Sequence, residues 1–471
     1  MNLLKGNQFT SSGLYVILAA LTSKVFSVVT VIVTIHFLSS TQFGEVYLLL
    51  LLFGLSTQFG DFGLSINAFK ENALLQQVTN LKISLSLIQV LVAFTIAAIV
   101  SVFVKHIAFS GLAVIAAASF VDALAFGMEV VLRKSMAYGQ LSITSLVQQF
   151  LLNLVQILLL LLHFGYMAVL LASLCSQLFR LSILLKITNV NFLETLSRFH
   201  CSINFHLLSR NIAWSNATHF WTLNIDKFII QTVMNRSGLA LFSISHSVGR
   251  MVDMTITQPL KKVLIPIYAS SGDISRFNYF NRMEYRWTSL LTTLWSTILW
   301  CVPSLLLVVL HGSWDKMILP IQVFSLAGIL SPFINITGTA MLATGSAKVV
   351  KSYSAARLVA ILCLLVPFLL IFHLVGAALL DFLIDGLIVI PYILLKAPTN
   401  LQARSVLMEG LPYLLIFIVC LTISRLEQSI EPNLWIEALS VVAVYFSCIA
   451  WWKGRVLKGD LGTIWNALHT S

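Results

Sequence analysis

The chain has 471 residues, 58% of them hydrophobic and only 10% charged, with a net charge of +11 and a mean hydropathy of +0.92. A soluble domain carries roughly 25% charged residues, so the composition excludes a water-soluble globular protein and points to an all-α polytopic membrane protein. The six cysteines include no CxxC spacing, and five fall inside apolar runs, so they read as small packing residues rather than metal ligands or a disulfide framework.

A membrane span needs about 20 mostly apolar residues. Fourteen stretches meet that length: 12–38, 43–64, 81–104, 108–132, 142–163, 166–188, 209–232, 238–263, 286–311, 318–343, 353–374, 376–396, 406–424 and 433–452. The first is too long and too polar at its centre for a cleaved signal peptide and is read as a retained helix. The seventh and eighth are the least apolar, so the lower count is twelve. With the N-terminus placed in the cytoplasm, 22 of the 29 Lys and Arg fall on the inner side, four on the outer side and three within spans. This bias follows the positive-inside rule and predicts that both termini are cytoplasmic. It also accounts for most of the positive charge without nucleic acid as a partner. The longest connections, 189–208 and 264–285, fall inside, and the outer loops are a few residues each.

Two stretches repeat a pattern of helix, short polar turn and helix: "HFLSSTQFGEVYLLLLLFG" (36–54) and "TVMNRSGLALFSISHSVG" (232–249). They make spans one and two equivalent to spans seven and eight. The expected organisation is an N-terminal six-helix lobe (1–188), a cytoplasmic linker (189–208), a C-terminal six-helix lobe (209–396), and two additional helices with a short cytoplasmic tail (397–471). No Gly-rich phosphate loop, HExxH or GxSxG in a strand-turn-helix context occurs. Neither an enzymatic activity nor a cofactor or metal is expected.

Charges at membrane depth are costly and mark functional positions. Lys24 lies near the middle of the first span and Arg250 near the middle of the eighth. Each belongs to a polar stripe at helical spacing. One runs Ser23/Lys24, Ser27, Thr30, Thr34; another runs His246, Arg250, Asp253, Thr257, Lys261; a third, in span seven, runs Asn211, Ser215, Thr218, Thr222, Asp226, with His219 close by. Such stripes cannot face lipid, so they meet one another or line water. The expectation is a hydrated, cationic cavity between the lobes with Lys24, Arg250, Arg210, His219 and His246 as substrate-binding groups. Arg and Lys suit phosphate there. The alternative for Arg250 is a buried ion pair with Asp253, and for Lys24 a pair with no transport role. Ion coupling or gating is assigned to Asp61, Asp122, Asp226, Lys227 and Asp253. Asp122 and Glu129 share one face of span four, and Glu129 has Arg133 four residues on. Local ion pairing at the inner interface is the alternative for Asp61 and Glu129. Asp226 and Lys227 either pin an outer gate or are solvated at its mouth. Asp381 and Asp385, one turn apart in the outer half of span twelve, either bind a cation or sit at the rim.

Three stretches carry a family resemblance. "KVFSVVTVIVTIHFLSSTQFGEVYLLLLLFGLSTQFGDFGLS" (24–65) resembles the opening of polysaccharide exporters, with a leucine, a polar turn, Phe-Gly, and a second helix ending near Asp-x-Gly. "NIDKFIIQTVMNRSGLALFSISHSVGRMVDMTITQPLKKVLIPIYA" (224–269) is similar to their second-lobe opening, and "WDKMILPIQVFSLAGILSPFINITGTAMLATGSAK" (314–348) matches a third pattern through Trp314, Pro320 and Gly345. The family is that of the Wzx-type polysaccharide flippases, within the multidrug/oligosaccharidyl-lipid/polysaccharide exporters. Where the family often has Gly-x-Tyr, this chain has Ala240 and Phe242. The resemblance implies a MATE-like fold of two six-helix bundles working by alternating access in the bacterial cytoplasmic (inner) membrane. The implied cargo is an undecaprenyl-diphosphate-linked repeat unit for surface polysaccharide or O-antigen, moved from inner to outer leaflet. The partners it implies are that lipid-linked oligosaccharide, membrane lipid, a coupling H+ or Na+, and polysaccharide polymerase machinery. A multidrug antiporter of the same fold would favour acids and aromatics at the midplane. A polymerase or ligase would need a larger outer surface. A lipid II flippase shares the fold and a cationic cavity.

Overall fold

The computed structural model describes residues 26–27, 29–61, 75–103, 109–134, 138–188, 210–257, 274–302, 312–343, 346–398, 401–428 and 440–450. Among them there is no strand. The helices in chain order are α1 (29–37), α2 (Ser40–Asp61), α3 (Leu75–Phe103), α4 (Phe109–Lys134), α5 (Tyr138–Leu161), α6 (Met167–Thr188), α7 (Arg210–Gly249), α8 (Ile274–Cys301), α9 (Ile318–Ala343), α10 (Ala347–Ile384), α11 (Ile390–Lys396), α12 (Ala403–Gln428) and α13 (Ser440–Ala450). π-Helical turns at Asp253–Thr257 and Asp385–Val389 follow α7 and α10. Six described stretches are long and apolar enough to cross a membrane, and one of them, Lys348–Lys396, has the length of two spans.

The predicted span boundaries recur as sharp turns. In α7, Asn235 adopts φ 63° and ψ −172°, so the helix folds back where spans seven and eight were expected to meet. In α10, His373 does the same at φ 53° and ψ −137°, between expected spans eleven and twelve. Asn and His are the side chains that tolerate positive φ best after glycine. His163 and Gly165, both with φ near 60°, turn α5 into α6.

The chain forms two compact units that divide between Ala240 and Leu241, inside α7. The cause is local packing. Leu239 is buried in one apolar cluster with Val46, Leu49, Leu52, Leu112 and Leu170, which ties the bend of α7 to α2. Within this first unit α2 packs on α3, α3 on α4, and α4 and α5 on α6. The polar stripe of the first span faces α5. Gln156 donates to Thr34 Oγ1 at 2.9 Å, Gln149 to Ser27 Oγ at 3.4 Å, and the hydroxyls of Thr30 and Thr34 donate to the carbonyls of Phe26 and Thr30.

In the second unit α8 packs on α9 and α12, and α9 on α10. Helix α8 is unusually polar for a buried helix. Thr288, Thr292, Thr293 and Thr297 each donate to the carbonyl four residues back, which satisfies their hydroxyls without water. The seam with α9 is pinned by Trp300 on the Gln322 carbonyl (2.8 Å) and Ser296 on the Ser325 carbonyl (2.8 Å). The two last helices close over α8 through Tyr413, Ile416, Cys420 and Tyr445, and Tyr445 Oη donates to the Leu290 carbonyl at 2.6 Å. Gly249 ends α7 against α9: a Cβ there would lie 2.5 Å from Phe324 Cβ and 2.8 Å from the Ile321 carbonyl oxygen. Gly249→Ala is therefore expected to cost about 1–3 kcal/mol from overpacking. Thermal unfolding of the detergent-purified variant checks this, and an unchanged midpoint would show that the two helices do not approach so closely.

Candidate functional site

Arg250 follows directly on α7, and its side chain is turned into the second unit, 8% exposed. Its guanidinium is not bare. Nη1 donates to Asp381 Oδ2 at 2.9 Å, Nη2 to Asp385 Oδ2 at 3.1 Å, and Nε to Ser331 Oγ at 3.1 Å. A second guanidinium closes the ring: Arg357 pairs with Asp381 and lies 2.9 Å from Asp385 Oδ1. Four charged side chains, two of each sign, thus join the end of α7, α10 and the turn after α10, with Ser331 supplied by α9. Depth along the helices agrees with the pairing. Arg250 lies 15 residues past the bend at Asn235 and Arg357 lies 16 before the bend at His373, about 22–24 Å of helix in each case.

The carboxylate of Asp253 is engaged separately. It accepts from Asn335 Nδ2 at 2.8 Å, and its side chain is buried. The expected alternative partner of Arg250 was Asp253; the structure instead gives Arg250 two acids 131 and 135 residues away. The reason is helical phase: the π turn at Asp253–Thr257 departs from the 3.6-residue repeat on which the stripe was read. Asp381 and Asp385 are neither a cation site nor a rim. Asp385 is fully buried, and both acids are held by arginines. His246 stacks near Phe242 and meets the ring edge of Phe324 at 5.1 Å between centroids.

The first unit holds a second charged cluster. Arg180 on α6 donates to Asp122 Oδ1 at 2.5 Å, to Gln177 Oε1 at 3.1 Å, and to Glu129. Both acids lie on the single face of α4 that sequence spacing indicated. Arg180 on α6 is a base that the two share; the side chain of Arg133 lies outside the described residues. Asp122 keeps 41% of its side-chain surface exposed, against 12% for Arg180. Lys227 reaches back along α7 to Asn224 Oδ1 (2.7 Å), and Asp226 Oδ1 accepts from the Lys227 backbone N–H (2.8 Å). Lys24 and the side chains of Asp61, Arg210 and His219 lie outside the described residues. Sequence reading missed Ser331, Arg357 and Arg180 as partners, and gave Asp381 and Asp385 other roles. Their signal was depth: Asp385 sits in a long apolar run, where a charge needs a partner. Among the described residues no group of His, Cys, Asp and Glu fits a metal ion.

A model of the family described as "Polysaccharide biosynthesis protein" matches residues 33–319. Comparison with curated proteins finds no match. The chain is similar in structure to the lipid II flippase MurJ in an inward closed conformation, with a TM-score of 0.64, 14% identity, and 92% of this chain and 99% of that one covered. It is also similar to an outward-facing multidrug resistance MATE transporter of the MOP superfamily, with a TM-score of 0.56, 14% identity, and 86% and 100% covered. A third likeness is to a MOP superfamily transporter from Pyrococcus furiosus described as having a binding pocket of reverse polarity, with a TM-score of 0.53, 13% identity, and 88% and 99% covered. The chain has the fold of these transporters and is a multi-pass membrane protein.

Proposed function

Because the chain belongs to the family of polysaccharide biosynthesis proteins, we propose that it flips an undecaprenyl-diphosphate-linked oligosaccharide repeat unit from the inner to the outer leaflet by alternating access. The observation that carries this reading is the family match over 33–319 in a chain with a flippase-like and transporter-like fold. The cargo is chemically difficult for the bilayer because its diphosphate and sugars are strongly hydrated, while its prenyl tail is at home in lipid. A carrier therefore needs to shield only the head, by offering it charge and hydrogen bonds in place of water.

In this reading Lys24, Arg210, His219 and His246 are the candidate contacts for the diphosphate. Arg250 takes a different part from the one its depth alone suggested. Its charge is offset by Asp381 and Asp385, so it serves the carrier as the centre of an ion-pair cluster that ties α7, α9 and α10. Asp122, partly exposed and held by Arg180, is the proposed coupling carboxylate for H+ or Na+. Asp61, Asp226, Lys227 and Asp253 complete the coupling and gating set. The proposed location is the bacterial cytoplasmic (inner) membrane, with both termini inside and the polymerase machinery receiving the cargo outside.

Deleting the gene is expected to remove surface glycan and to build up undecaprenyl-diphosphate-linked repeat units on the inner leaflet. The full chain supplied from a plasmid restores both. Unchanged surface glycan in the deletion strain would overturn the proposal. Accumulation of lipid II instead would move the assignment to the peptidoglycan precursor.

A further inference from the structure

Three consecutive elements of the second unit carry a base at one end of an exposed apolar face. On α10 one exposed stripe starts at Lys348 and Lys351 and runs through Val359, Leu362 and Val366 to Leu370. On α12 a matching stripe starts at Arg404 and runs through Met408, Leu411 and Leu415 to Val419. Helix α11, between them in the chain, ends in exposed Leu394, Leu395 and Lys396. The bases of α10 and α11 share one end of the unit. Arg357 lies 2.9 Å from Asp385 Oδ1, so the first half of α10 runs antiparallel to the segment that leads into α11. Lys348 is nine residues before that contact and Lys396 eleven after it, about 14 and 16 Å along the helices, so the two stand level within one turn.

Depth along α10 marks this end as headgroup level. Lys351 and Leu370 are nineteen residues apart, about 28 Å of helix, which is close to the thickness of the hydrocarbon core. The acids nearby in the chain do not answer these bases. Asp381 and Asp385 are held by Arg250 and Arg357, and Glu409 lies 3.7 Å from Arg286. None of Lys348, Lys351, Lys396 and Arg404 has an acid partner among the described residues. Four exposed cations therefore rim a wall of exposed aliphatic side chains, with no counter-charge from the protein.

We propose that this rim is a binding face for an anionic diacyl phospholipid. The lipid phosphate meets the lysines and the arginine, and the acyl chains lie along the α10 and α12 stripes. Ammonium groups act as point charges and suit a mobile phosphodiester, and each base near an anionic lipid surface strengthens attachment about fivefold. A sugar head would call for hydroxyl and amide partners. Ser352, beside Lys351, instead donates to the Lys348 carbonyl at 2.9 Å. The binding face requires only that the chain sit in a membrane, so it stands apart from the flippase reading.

The test uses the full-length protein in a maltoside detergent, offered dioleoylphosphatidylglycerol and dioleoylphosphatidylcholine at equal concentration. Native mass spectrometry counts the lipids that stay bound. The phosphatidylglycerol adducts are expected to exceed the phosphatidylcholine adducts at least about fivefold. Lys348→Gln/Lys351→Gln is expected to lower that preference about tenfold or to abolish it, and adding Lys396→Gln and Arg404→Gln brings the two lipids level. Lys348→Arg/Lys351→Arg keeps the charge and keeps the preference. Lys186→Gln, at an exposed base of the first unit, leaves it unchanged. Phosphatidylglycerol is also expected to raise the thermal midpoint of the unaltered protein and not of the fourfold variant, with an effect that shrinks as salt is added. The four side chains are exposed and unpaired, so the lipid-free midpoints should agree, which shows that the variant is folded. Equal retention of the two lipids by the unaltered protein would overturn the proposal, as would a preference that survives in the fourfold variant. Undecaprenyl phosphate that displaces phosphatidylglycerol from the unaltered protein at equal concentration would give the rim to a prenyl lipid and overturn the phospholipid.

Discussion

Arg250→Ala is expected to destabilise the protein by about 3–5 kcal/mol, because it strips a charge partner from one fully buried acid and one largely buried acid. Asp381 and Asp385 would be left with Arg357 alone, and Asp385 is fully buried. The loss is read from thermal unfolding of purified protein and from the amount that accumulates in the membrane. Arg250→Lys keeps the charge but loses the fork that serves two carboxylates and Ser331 at once, so its effect falls between. Stability alone does not separate a tie from a cargo contact; compensation does. Replacing a buried pair by neutral groups of similar size is often close to neutral. Arg250→Met combined with Asp385→Asn is therefore expected to recover most of the lost stability. Recovery of glycan export along with stability assigns Arg250 to the scaffold. A stable double variant that still fails to export would return Arg250 to the cargo path.

Arg180→Ala is expected to have the next largest effect. One guanidinium serves Asp122 and Glu129 on α4, so its removal takes the Arg180 contact from both acids. Glu129, at 14% exposure, carries most of the penalty, and the whole is about 2–4 kcal/mol, less than the fully buried case because Asp122 is open to solvent. Asp122→Asn then separates two roles. A purely structural Asp122 gives a protein slightly less stable and equally active. A coupling carboxylate gives a protein of normal abundance whose export collapses and no longer responds to the proton or sodium gradient. Export that tracks abundance in this variant would remove Asp122 from the coupling set.

Much of the architecture was legible in the sequence because the bilayer imposes it. Length and apolarity marked α4, α5, α6, α9, α10 and α12, and the short polar turns at 39–42 and 233–238 marked where helices reverse. The bend at Asn235 follows a residue type known to accept positive φ; the one at His373 sits in a run that is apolar on both sides. Legibility ended at tertiary pairing. That Arg250 needed a partner was clear from its depth, but nothing in local spacing identifies acids more than a hundred residues downstream. Arg180 and Arg357 misled for a related reason. Both lie near span ends, where the positive-inside rule counts them as solvated, and both are spent on acids within their own unit. In the described part of the first span's polar stripe, glutamines of α5 partner Ser27 and Thr34. A helix can change allegiance along its length, as α7 does after Ala240, and residue spacing carries no mark of it.

The reversals at Leu38–Ser40, His163–Gly165, Asn235 and His373 share a property: each turns the chain with a handful of residues or fewer. We propose from the charge bias that all four lie at the outer face. A protease, antibody or phage arriving there would find almost no extended backbone to grip, since cleavage and recognition favour pliable exposed strands of chain. Surface digestion of intact cells should leave these four points uncut, and epitope tags for detection belong at the opposite face.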